Sequence, residues 1–148
     1  MDTPAPQQEQ SLNPKDYKNI VIVAGTRGFN DLKKFHAVLV AYLERFEGPV
    51  LFVSGAAASG ADRLIIQWCD KFRYPCLLMP AEWETRDSEG NLVKNRGAGF
   101  ARNAKMADVG THLLCFFDGA SPGSAHMIDV AMRKALAVKI VNITVETP

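Results

Sequence analysis

Four short stretches concentrate the residues able to do chemistry. They are "GTRGFND" (25–31), "SGAAASGADR" (54–63), "NRGAGFARNAKMAD" (95–108) and "FFDGASPGSAHMIDVA" (116–131). Each sets guanidinium, carboxylate, amide or hydroxyl groups among glycines and alanines, a mixture suited to an anionic, hydroxyl-bearing small molecule. In the last stretch Gly119 and Gly123 keep the backbone bare, and Ser121 and Ser124 add hydroxyls where a helix is expected to begin. Free N–H groups and the helix dipole make such a place an anion site. Helix capping by Ser124 is the alternative, although a cap needs one hydroxyl and not the whole run.

In the first stretch Gly25 and Gly28 permit tight turns, and Asn30 or Asp31 can cap a helix. Thr26, Arg27 and Phe29 stand between them as ligand-side candidates. Arg27 either grips a phosphate or carboxylate with its planar fork or stays solvated. The spacing is not GxGxxG, so it carries no dinucleotide fingerprint. In the second stretch Gly55 opens a small-residue loop. Asp62 is expected first as a helix cap, with the binding of ligand hydroxyls as its alternative. In the third, Arg102 and Met106 share a helix face by their i, i+4 spacing, with Asn103 beside them.

Several further side chains have two readings each. Trp83 stacks on a base or seals the sheet edge. His126 contacts a ligand or is a partly exposed helical histidine, whereas His36 and His112 read as structural. Lys94, Arg96, Arg102 and Lys105 form a local basic cluster that draws in an anion or solubilises one face.

The chain has 148 residues, 17 basic and 16 acidic, and 47% hydrophobic side chains. That is enough for one core, and the balanced charge argues against wrapping nucleic acid or lying on an anionic membrane. Three cysteines, Cys69, Cys76 and Cys115, sit in apolar contexts without metal-ligand spacing, so no metal is expected. No segment approaches a membrane span or a signal peptide, and a cytoplasmic location is expected. Residues 1–16 are rich in Pro, Gln and acidic residues, and a disordered tail is expected over 1–18, ahead of one domain over 19–148.

Alternating apolar strands and amphipathic helices position the four stretches. Strands are expected at 19–25, 50–55, 75–80, 111–117 and 138–143. Helices are expected at 31–46, 61–73, 97–107 and 124–136, with a long polar loop at 82–96. Strict alternation implies right-handed crossovers and a Rossmann-like three-layer α/β/α sandwich, with a mainly parallel five-stranded sheet in the order 3-2-1-4-5. Ligands bind such sheets beyond the strands' carboxyl ends where the order reverses, here between the first and fourth strands.

Together with "VSGAAASGADRL" (53–64) and "MPAEW" (79–83), these stretches resemble the SLOG superfamily, in its YpsA/YspA-related branch. The resemblance implies a domain that binds nucleotides or nucleotide-derived ligands, and a homodimer or higher homo-oligomer. The superfamily also contains lysine-decarboxylase-like, cytokinin-activating enzymes that cleave the base from ribose 5-monophosphate. Their Arg-then-Met pattern is matched by Arg102 and Met106, and their glycine-rich loop by Ser121 to Met127. Their catalytic glutamate falls on Met127, which can neither stabilise an oxocarbenium-like charge nor activate water. Loss of that carboxylate favours binding over hydrolysis.

The expected function is therefore binding of a phosphate-bearing nucleotide derivative, with no resident cofactor. Phosphate would lie on the backbone of 25–29 and 119–124, with Arg27 and Arg102 adding charge. Asn103 and Asp62 would orient ribose hydroxyls. The alternative is a nucleoside 5'-monophosphate glycosidase, with Arg102 and Glu82 as catalytic candidates and Asp62 as a substitute carboxylate. Single-stranded nucleic acid is disfavoured by the lack of a basic aromatic groove.

Overall fold

The computed structural model describes residues 12–145. Five strands form the main sheet: β1 (Asn19–Gly25), β2 (Val50–Ser54), β3 (Cys76–Leu78), β6 (His112–Phe117) and β7 (Ala137–Asn142). All pairings in it are parallel, in the order β3-β2-β1-β6-β7. This is the expected order, with a hairpin inserted in the chain between the third and fourth of these strands. The fold is Rossmann-like α/β.

Period-two alternation explains the layers. Val21, Val23, Phe52, Leu114 and Phe116 point to one face and pack with Phe35, Leu39 and Tyr42 of α1 (Leu32–Leu43) and Ile65 and Trp68 of α2 (Ala61–Phe72). Ile20, Ile22, Val53, Leu113 and Cys115 point to the other, against Met106 and Ala107 of α3 (Ala98–Val109) and Met127 and Ala131 of α4 (Pro122–Arg133). Strands buried on both faces are why β1, β2 and β6 read as continuous apolar runs.

Several boundaries differ from expectation. The α-helix expected to reach 46 ends at Leu43, and three tighter i−3 bonds carry the chain on to Phe46, which still packs on the core. The helix expected at 124 begins at Pro122, whose fixed φ and missing N–H suit a first helical position. The 82–96 segment is not a plain loop: β4 (Glu84–Arg86) and β5 (Leu92–Lys94) pair antiparallel. Their turn is held by Asp87, whose Oδ1 accepts the Glu89 and Asn91 N–H groups at 2.9 Å each.

Of the expected tail, residues 1–11 lie outside the described residues. Residues 12–18 contain a single 3-10 turn at Pro14–Asp16, and Leu12 and Tyr17 pack against the α3/α4 side of the core. Among the described residues no helix is long and apolar enough to cross a membrane.

Candidate functional site

A cavity of about 500 Å³ opens at the carboxyl ends of β1 and β6, where the strand order reverses. Tight packing makes this possible. A Cβ on Gly25 would sit 2.5 Å from the Phe116 carbonyl oxygen, so only glycine lets the two loops leave their strands side by side. Thr26 Oγ1 then accepts the Asp118 N–H at 3.2 Å, and Ser121 Oγ lies 3.0 Å from both Thr26 Oγ1 and Asp118 Oδ1. Asp118 also accepts the Ala120 and Ser121 N–H groups at 2.9 Å each, which holds its carboxyl down at about 2.

These bonds determine what α4 offers. Ser121 is its N-cap, but the hydroxyl turns to Thr26 and Asp118 and not to the helix. Ser124 does not cap either. It is buried in the first turn, and it only partly opposes the burial that pushes the Cys115 thiol up to about 12. Among the described residues the Gly123 and Ser124 backbone N–H groups have no hydrogen-bond partner. Gly123 and Ser124 both line the cavity, so α4 presents an anion-attracting end to it.

The opposite wall carries the charge. Arg102, half-buried on α3, donates from Nη1 to the Gly55 carbonyl and from Nε to Asn103 Oδ1 at 3.0 Å. A side chain on Gly55 would collide with that guanidinium and with Asp62, so Gly55 serves the site from behind the cavity wall. Asp62 is only 8% exposed. It sits inside α2, and not at its N-cap, because Gly60 with φ 74° occupies that place. Its Oδ2 accepts the Ala57 N–H at 3.2 Å. Burial raises the Asp62 carboxyl above its ordinary range, against the Ala57 bond and the nearby charges of Arg102 and Arg27. Burial likewise lowers Arg102, with Asp62 opposing, although a guanidinium stays charged.

Aromatic side chains close the rim. Trp83 and Phe100 line the cavity and are 48% and 51% exposed. Trp83 rests against Gly99, and Phe100 stacks on His126 with ring centroids 4.0 Å apart. Met106 and Met127 supply apolar wall.

Of the candidates read from sequence, Gly25, Thr26, Arg27, Asp62, Trp83, Arg102, Asn103, Ser121, Gly123 and Ser124 meet at this cavity. Phe29 does not. It is buried and stacks on Phe116 at 5.0 Å, in the core beneath its loop. Gly119, with φ 87°, shapes the loop without lining the cavity. Glu82 lines a separate recess of about 230 Å³ with Lys105, and Arg102 forms a wall common to both. Sequence reasoning missed Asp118 and Phe100. The "DGAS" turn signal could have found Asp118, whereas nothing local marks Phe100. Among the described residues no group of three His, Cys, Asp or Glu side chains is placed to hold a metal ion.

The model of the YspA, cpYpsA-related SLOG family matches residues 19–85, from β1 into β4. Over these residues the chain is similar to that family. The SLOG match therefore covers the two loops carrying Arg27, Gly55 and Asp62, while Arg102, Asn103 and the 119–124 loop lie beyond it. The chain has no significant match among curated proteins or among solved structures.

Proposed function

We propose that this domain binds a phosphate-bearing nucleotide or nucleotide-derived small molecule in the β1/β6 cavity. The observation that carries the reading is the convergence, on one cavity, of the uncapped α4 N-terminus and the Arg102 guanidinium. Phosphate docks on the Gly123 and Ser124 N–H groups, with Arg27 adding charge from the facing loop. Asp62 and Asn103 receive ribose hydroxyls, and the base lies against Trp83 or Phe100, whose exposed faces suit stacking. Similarity to a SLOG family over 19–85 agrees with a nucleotide-related ligand.

A second reading is favoured by one observation: Asp62 brings a buried carboxylate into the cavity that Met127 also lines. It could replace the missing glutamate in cleaving a base–ribose bond. Glu82, in its separate recess, is the poorer candidate.

Equilibrium dialysis against nucleoside mono- and diphosphates, followed by chromatography of the retained material, tests both. The binding reading predicts retention of an intact nucleotide. Free base that disappears with Asp62→Asn would instead establish the hydrolase, and finding neither retained nucleotide nor free base would contradict both.

A further inference from the structure

The Asn103 side chain joins the two ends of the cavity. Its Oδ1 accepts the Arg102 Nε–H at 3.0 Å, while its Nδ2 lies 3.3 Å from the Gly123 carbonyl oxygen and 3.1 Å from His126 Nδ1. The guanidinium can only donate and the carbonyl can only accept, so the amide has one admissible orientation. Nδ2 therefore donates towards His126, and His126 Nδ1 has to accept. Asn103 is 5% exposed, so a reversed amide would bury donor against donor on one side and acceptor against acceptor on the other.

His126 is itself held. Its ring stacks on Phe100 with an interplanar angle of 19°, and Phe100 is part of the cavity rim. On the far side of Arg102, Nη1 is engaged by the Gly55 carbonyl, and Nη2 has no hydrogen-bond partner among the described residues. An unbroken line of contacts thus runs from the aromatic rim through His126 and Asn103 to the guanidinium.

From this geometry we infer that His126 is a positioning residue of the cavity: as an imidazole protonated on Nε2 alone, it accepts the second Asn103 Nδ2–H and so steadies the amide that holds Arg102 with Nη2 free for an anion. A planar ring stacked on Phe100 bears on the same imidazole, so the ring end and the anion end of the cavity are coupled. The inference rests on the binding reading above for its ring-bearing, anionic ligand. The hydrogen-bond polarity is independent of any ligand.

Long-range proton–nitrogen correlation spectra of the isotope-labelled full chain read the tautomer directly. An unprotonated Nδ1 and a protonated Nε2 are expected for His126, together with a slowly exchanging Arg102 Nε–H. His126→Phe keeps a ring against Phe100 and removes the acceptor; exchange at Arg102 Nε–H is expected to speed up by about tenfold, the equivalent of one hydrogen bond. His126→Gln restores an acceptor and is expected to slow it again. An Nδ1–H tautomer in the unmodified chain, unchanged exchange in His126→Phe, or equal acceleration in both variants overturns the proposal. No ligand enters these measurements, so this inference and the binding reading can fail separately.

Discussion

Burial penalises the charged form of Asp62, and the Ala57 N–H and the two arginines only partly offset it. A carboxyl raised above its ordinary value of 3.8 contributes stability below that pH and loses it as pH rises through the folded value. That penalty is present at neutral pH, and Asp62→Asn would remove it while keeping an acceptor for Ala57. The variant is expected to be more stable than the parent by about 1 kcal/mol in urea unfolding at neutral pH, with the gap closing as pH falls towards 4. It should also bind ligand more weakly. Such an opposition between stability and affinity is what a residue retained for a ligand would show. A variant less stable than the parent at neutral pH would mean that Asp62 is held for packing alone.

Strand-to-helix loops were the elements most legible in the sequence, because glycine, hydroxyl and guanidinium residues leave a local mark. The buried strands were equally plain, since β-branched runs such as "NIVIVAG" have no competing helical reading. The 84–94 hairpin was not, because its strands are three residues each and exposed, with no apolar alternation to betray them. Phe29 looked like a loop residue and proved to be core, because stacking on Phe116 requires a strand distant in sequence. The Phe100–His126 stack joins α3 to α4, and no local pattern could have announced it. Helix ends tell the same story. Beyond α4, Ala135 adopts φ 61° while the Leu136 N–H bonds back to the Ala131 carbonyl at 3.0 Å. That is a left-handed C-terminal cap filled by a residue with a Cβ. Ala135→Gly is expected to raise stability by about 1 kcal/mol in the same urea unfolding, without touching the cavity. No gain would show that this end of α4 is not so constrained.

At the scale of the molecule, the parallel sheet explains why the cavity is where it is. Reversal of strand order between β1 and β6 sends α1 and α2 to one face and α3 and α4 to the other, and the loops above the split cannot close over it. The cavity is therefore built by the topology and equipped by a few side chains. Its two halves can be disabled separately. Arg102→Ala removes the guanidinium, while Gly123→Val places bulk at the α4 end, where a Cβ meets no atom within 4 Å and the fold should not be disturbed. A thermal-shift comparison of the parent chain and these two variants, against nucleoside mono- and diphosphates, NAD, ADP-ribose and cyclic nucleotides, tests the central claim most directly. A ligand at a hundred times its Kd adds about 2.7 kcal/mol to the parent, a rise of several degrees in a chain this long. The expected result is such a rise with at least one nucleotide, lost in both variants. A parent whose melting no nucleotide moves, or a rise that survives intact in Arg102→Ala and Gly123→Val, would contradict a phosphate-bearing ligand in this cavity.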